Sequence, residues 1–449
     1  SILDVVVASE DIGCRVFIND GGQRFRLDEQ HPLAGRPATA TLHGDLDNDG
    51  QIDHVLLGDT GIDLLSGADV ISLNDVVGDP SAVRRGVLFD ADHDGDLDIY
   101  CVCGESSDVL INNNGDGTFR SLGQAEGIDS GTSPTRQVCV ADFDNDRDLD
   151  LLILKQSREL MILENDRLWR YRPAPVAALS SSRPFQCVVG DVNQDGWADL
   201  LALVEGDEVD HLEVWEGGPD WQFTRTATRS ASDIGKNRPL ALADANGDGV
   251  PEVLCTSVDA TEVLVLDHQL GERQRIASDE PVTDWSLAAF DGERGPSLLL
   301  ATATEMRLAA PGEGRHAFVT LSFGGKHDPG DSLRSNYSGI GTRWRARSGR
   351  YATAGVTLPH STSPGQSLQP TQIGLGGKPQ LDMLELVWPD GVYQSELALK
   401  PGAARKIVET QRQLSSCPVL FAWDGEAYQF VTDLIGVGGL GYLVQPGLY

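Results

Sequence analysis

The chain has 449 residues, 40% of them hydrophobic, and a formal net charge of -33. That excess of acid repels phosphate and argues against nucleic acid and anionic membranes as partners. The length suggests two or three domains, the apolar content suffices for packed cores, and no run approaches the roughly 18 apolar residues that span a bilayer.

The chain opens at Ser1-Ile2-Leu3-Asp4 and enters the apolar run Val5-Val6-Val7. This reads as the end of an acidic loop and the middle of a repeat, so further residues are expected upstream. Downstream, one pattern recurs five times: an apolar strand, an acidic loop, then a second apolar strand. The loops begin at Asp45, Asp90, Asp142, Asp191 and Asp244, spacings of 45, 52, 49 and 53 residues. A period near 45–50 residues marks propeller blades of about four short strands each. A fading copy follows at Asp291, before Ser297-Leu298-Leu299-Leu300. With the partial unit at Asp4, the expected fold is all-β: a seven-bladed β-propeller over residues 1–312, whose closure removes exposed sheet edges. The runs are short, bounded by turn residues and without a sustained 3.6-residue period, so little helix is expected.

Each loop places oxygen-bearing side chains at positions 1, 3, 5 and 9. These are Asp45, Asp47, Asp49 and Asp53; Asp90, Asp92, Asp94 and Asp98; Asp142, Asp144, Asp146 and Asp150; Asp191, Asn193, Asp195 and Asp199; and Asp244, Asn246, Asp248 and Glu252. Alternate side chains converge when the backbone curls around an ion, and glycine at position 6 permits the sharp turn. Hard oxygen ligands in this number suit Ca²⁺ best. An EF-hand would need glutamate at position 12, where this chain carries Leu56, Cys101, Ile153, Ala202 and Cys255. The third loop has Arg147 in place of glycine, and the fourth and fifth carry fewer charges, so weaker binding is expected there.

Seven cysteines include no CxxC, which leaves zinc ribbons and thioredoxin-type sites unsupported. Most lie in strand-like runs such as Ile99-Tyr100-Cys101-Val102-Cys103, the setting of buried free thiols. Residues 313–410 alternate apolar and polar positions in Ala317-Phe318-Val319-Thr320-Leu321 and Leu384-Glu385-Leu386-Val387-Trp388, as a small β domain would. Trp388 reads as a core residue. Arg343, Arg345, Arg347 and Arg350 form a basic stretch, either a solvated strand face or a contact with an acidic partner or neighbouring domain. Residues 411–449 read as a β-hairpin with Asp424-Gly425 in its turn. The later Gly436-Val437-Gly438-Gly439-Leu440-Gly441 fits GxGxxG but lacks the helix and following acid of a dinucleotide site.

The D-x-[DN]-x-D-G-x-x-[DE] loops resemble the FG-GAP/VCBS repeats of integrin-α-like propellers. Three later blocks resemble an ASPIC/UnbV domain: Ser335-Asn336-Tyr337-Ser338-Gly339-Ile340-Gly341-Thr342-Arg343, Ile373-Gly374-Leu375-Gly376 and Val387-Trp388-Pro389-Asp390-Gly391. The pair is similar to the cartilage acidic protein 1 family and its bacterial relatives. That resemblance implies a calcium-dependent protein, secreted, periplasmic or on the cell surface, linked with adhesion or matrix and with no established catalysis. No HExxH, GxSxG or Walker loop occurs in the chain. The expected role is an interaction or scaffold protein that binds a protein or glycan on a propeller face, possible also as a subunit of a larger complex. The alternative is a calcium-dependent propeller that binds or cleaves polysaccharide.

Overall fold

The computed structural model describes residues 3–433 except 22–23, 80–82, 105–106, 129–132, 168–169, 177, 180–181, 291–294, 310–311, 313, 327–334, 359–369, 411–418, 424 and 426–427. Two compact units result, Ser1–Glu409 and Thr410–Tyr449. The faded loop at Asp291, Cys417 and the glycine-rich tail at Gly436–Gly441 lie outside the described residues.

The first unit is all-β. Five consecutive stretches each fold into a four-stranded antiparallel meander. The third-loop stretch is representative, with strands Thr135–Ala141, Asp150–Lys155, Leu160–Asn165 and Tyr171–Pro173. Each acidic loop joins the first strand of its sheet to the second. Before these five lies a three-stranded sheet of Val5–Val7, Arg15–Gly21 and Arg24–Leu27. After them lies another, of Val282–Ala288, Ser297–Thr302 and Met306–Ala309. Sheets that follow one another this way, packed face to face, are the blades of a β-propeller.

The burial pattern explains the strand sequences. Asp98–Cys103, Asp150–Lys155 and Asp199–Val204 are second strands and are buried at every position. They are covered on both faces by neighbouring sheets, so they read as continuous apolar runs rather than alternating ones. The last strand Gln222–Ser230 and the last strand Glu272–Ala277 are mostly exposed and correspondingly polar. Apolar clusters fill each gap between successive sheets. Leu152 and Leu154 meet Cys187 and Leu200, and Leu201 and Leu203 meet Val253 and Leu264. A further cluster joins Phe290 and Leu299 of the last sheet to Val5 and Phe25 of the first. There the Phe25 and Phe290 rings meet edge to face at 5.8 Å, and Asn19 Nδ2 donates to the Phe290 carbonyl at 2.8 Å. The six described cysteines are buried and free.

The rest of the unit holds two more sheets. Phe318–Gly324 pairs antiparallel with Thr371–Gly374 and parallel with Arg405–Val408. A four-stranded antiparallel sheet runs Tyr351–Val356, Arg343–Ser348, Leu381–Val387, Tyr393–Leu399. Trp388 is wholly buried in their shared core, its ring against Phe323 and its Nε1 donating to Gln394 Oε1 at 3.0 Å. The buried Asn336 staples the turn before this sheet: its Nδ2 donates to the Ile340 carbonyl and its Oδ1 accepts from the Ile340 N–H.

Glu409 closes the unit. Burial pushes its carboxyl from 4.5 up to about 7, with the nearby Asp390 adding to the effect. A raised acid favours folding below its ordinary range, and that contribution is lost as pH climbs through about 7. Glu409→Gln is therefore expected to melt with the wild type near about pH 5 and several degrees above it near about pH 8. Thermal unfolding across that range checks this. The second unit contributes the hairpin Val419–Trp423 with Tyr428–Asp433.

Candidate metal centre

The five loops share one hydrogen-bond grammar. The carboxylate at position 1 accepts the N–H of position 6, from Gly50, Gly95, Arg147, Gly196 and Gly249, at 2.8–3.1 Å. Position 3 accepts from position 5, and position 5 accepts from position 7. These bonds coil the backbone around the side-chain oxygens. Position 6 needs a positive φ, +90° at Gly50 and +97° at Gly95. Arg147 adopts +84° without the freedom of glycine, a conformation that costs of order 1 kcal/mol.

Carboxylate oxygens lie within 4.8 Å of one another in three loops: Asp45, Asp47 and Asp53; Asp90, Asp92 and Asp94; Asp142, Asp144 and Asp146. Asp49 is turned aside, one oxygen accepting the Gln51 N–H and the other its side-chain amide. In the fourth loop Asn193 Nδ2 donates to Asp195 at 2.9 Å. In the fifth, Asn246 Nδ2 donates to Asp248 at 3.1 Å and also to Glu252.

Position 9 also serves the fold. Its carboxylate accepts the N–H of position 2 in every loop, from Leu46, Ala91, Phe143, Val192 and Ala245. In Asp98, Asp150 and Asp199 the second oxygen accepts from the third strand, at Asn113, Asn165 and Gly217, each at 2.8 Å. These residues tie three chain segments together. The sequence gives no sign of it, because the third-strand donor is a backbone group.

Burial raises the acids at positions 1 and 9 of the loops, and neighbouring carboxylates add to the effect. Asp90 and Asp98 rise well above the carboxylate range; Asp45, Asp191 and Asp244 reach about 6, Asp199 and Glu252 about 7, and Asp150 about 8. A cation would relieve this clustering. Asp90 Oδ1 and Asp142 Oδ1 are buried without a hydrogen-bond partner among the described residues. An orphaned carboxylate oxygen inside a ring of hard oxygen donors fits a divalent ion such as Ca²⁺.

The small sheets reach these same loops, which the sequence reading did not foresee. Asp45 N–H donates to Ser338 Oγ, and Tyr337 N–H to Asn48 Oδ1, at 3.2 and 3.3 Å. Arg343 pairs with Asp142. Gln194 Nε2 donates to Thr353 Oγ1, which itself donates to the Gly249 carbonyl. In the fifth loop the Asn246 and Gly247 carbonyls accept from the His316 and Gly376 N–H groups at 2.9 and 2.8 Å. Only the basic stretch hinted at this, through Arg343.

Several solved structures resemble the chain at low identity. The Agrocybe aegerita lectin described as recognising non-reducing terminal N-acetylglucosamine is 17% identical, over 61% of this chain and 76% of its own, at TM-score 0.42. A lectin from Burkholderia pseudomallei is 10% identical, over 71% and 91%, at TM-score 0.46. A β-propeller domain from Myceliophteria thermophila is 9% identical, over 68% and 95%, at TM-score 0.40. No curated protein matches the chain. The family described as FG-GAP-like repeat matches residues 90–153 and 191–255, two stretches that each begin at an acidic loop and end in the second strand of the next sheet.

Proposed function

We propose that this chain is a calcium-binding interaction scaffold, a closed seven-bladed propeller whose loops are set by Ca²⁺ and whose ring carries a ligand. The observation behind the metal is the buried, unpartnered Oδ1 of Asp90, beside Asp92 and Asp94. Positions 1, 3 and 5 would hold the ion in the second and third loops, with Asp45, Asp47 and Asp53 doing so in the first. When bound, the ion supplies positive charge and fixed geometry, and no reaction is assigned to it. Closure is supported by the cluster between the last sheet and the first. Residues 313–410 are read as an ASPIC/UnbV-like β domain. Millimolar calcium outside the cytoplasm would fill such sites, which favours a secreted, periplasmic or cell-surface setting.

Elemental analysis of protein dialysed against calcium and then against metal-free buffer tests the reading. At least two, and up to five, calcium ions per chain are expected before chelation. Protein that retains none, and shows no calcium-dependent change in melting temperature, would sink the proposal.

A further inference from the structure

The inner strands of the ring and one face of the Arg343-containing sheet line a cavity of 1230 Å³. Small-ligand pockets usually measure about 300–1,000 Å³, so an oligosaccharide has room here. The charge on the sheet side departs from that of the chain as a whole. Strand alternation places Arg343, Arg345 and Arg347 on the same face, and all three line the cavity. Arg343 is committed to Asp142. Arg345 and Arg347 are exposed and make no ion pair with a carboxylate among the described residues, although Glu385, the cross-strand partner of Arg345, lines the same cavity and leaves the arginines in excess on this face. Aromatic rings stand beside them. Tyr393 shares the sheet face and is 59% exposed, and Trp197 lines the cavity from the fourth loop.

Arginine forks bind carboxylates with two parallel hydrogen bonds, and amphipathic aromatic rings present flat apolar faces to which the C–H face of a sugar can pack. We propose that this cavity binds an acidic oligosaccharide, with Arg345 and Arg347 taking uronate carboxylates and Tyr393 and Trp197 the sugar faces. This rests on the calcium-scaffold reading, because Asp142, Asp191, Asp195 and Asp244 line the same cavity. Calcium in the loops offsets their charge and lets an anion approach.

Calorimetric titration of the whole chain in calcium tests it. The probe is a tetrasaccharide of alternating glucuronate and N-acetylglucosamine, with neutral chitotetraose and poly-glutamate as controls. The acidic sugar is expected to bind at least about tenfold more tightly than either control, a difference of about 1.4 kcal/mol. Arg345→Ala with Arg347→Ala should lose at least about tenfold in affinity while keeping the calcium-dependent melting shift. If that variant does not fold, Arg345→Lys with Arg347→Lys keeps the charge and should still weaken binding several-fold through loss of the fork. Tyr393→Ala should weaken it too. Poly-glutamate binding as tightly would make the occupant an acidic peptide; equal binding of chitotetraose, no binding at millimolar sugar, or unchanged affinity in the folded arginine variant would each overturn the proposal. Loss of the calcium melting shift in the wild type would instead overturn the scaffold reading, so the two failures are distinguishable.

Discussion

Chelating calcium is expected to lower the melting temperature of this protein by about 5 °C, the sum of three loop sites acting together. An ion bound only by the folded state contributes about 1.4 kcal/mol at ten times its dissociation constant, so three sites give about 4 kcal/mol. Unfolding entropy of about 2.1 cal/mol/K per residue makes the whole unit lose about 0.9 kcal/mol per degree, which converts that sum to about 5 °C. Asp92→Ala removes one oxygen from the second loop's cluster of Asp90, Asp92 and Asp94. It should shrink the gap between calcium and chelator by about a third and leave the chelated protein almost unchanged, since one repelling carboxylate has gone. Scanning calorimetry of both proteins in both buffers reads this directly. A gap of the same size in the variant would remove Asp92 from the site.

Asp98→Ala is expected to be worse, and for a different reason. Asp98 is fully buried and accepts the Ala91 and Asn113 N–H groups, both at 2.8 Å. Truncation leaves two buried donors without acceptors, at about 1–3 kcal/mol for each. The melting temperature should fall by about 2–7 °C, equally with calcium and with chelator. Asp150→Ala, which frees the Phe143 and Asn165 N–H groups, should behave the same way. An Asp98→Ala loss confined to calcium buffer would make position 9 a metal ligand rather than a tie between strands.

The repeat was legible because it is local. Asp at alternate positions, a turn residue at position 6 and an apolar run on either side all sit within one short stretch, and the 45–53-residue spacing repeats them. The second strands also announced themselves: covered on both faces, Leu151–Leu154 carries no polar alternation. Long-range pairing was not legible. Nothing near Asp142 points to Arg343, and nothing near Gly249 points to Thr353. Ser1–Glu409 forms one compact unit that spans the boundary expected at residue 312. The role of position 9 was hidden for a related reason. A carboxylate that serves backbone N–H groups looks the same in sequence as one that serves a metal.

The contacts between the small sheets and the loops limit how this protein can vary. The spacing between loops drifts from 45 to 53 residues, yet each loop keeps the same nine-position span. One end of that span is set by the position 1 and position 9 carboxylates. In the fifth loop the other is set from outside, where Asn246, Gly247 and Gly249 carbonyls meet His316, Gly376 and Thr353. A residue added inside that loop would break both alignments at once. Insertions and deletions are therefore confined to the far ends of the blades and the stretches between them, so relatives should differ in length there while the loop face stays constant in register.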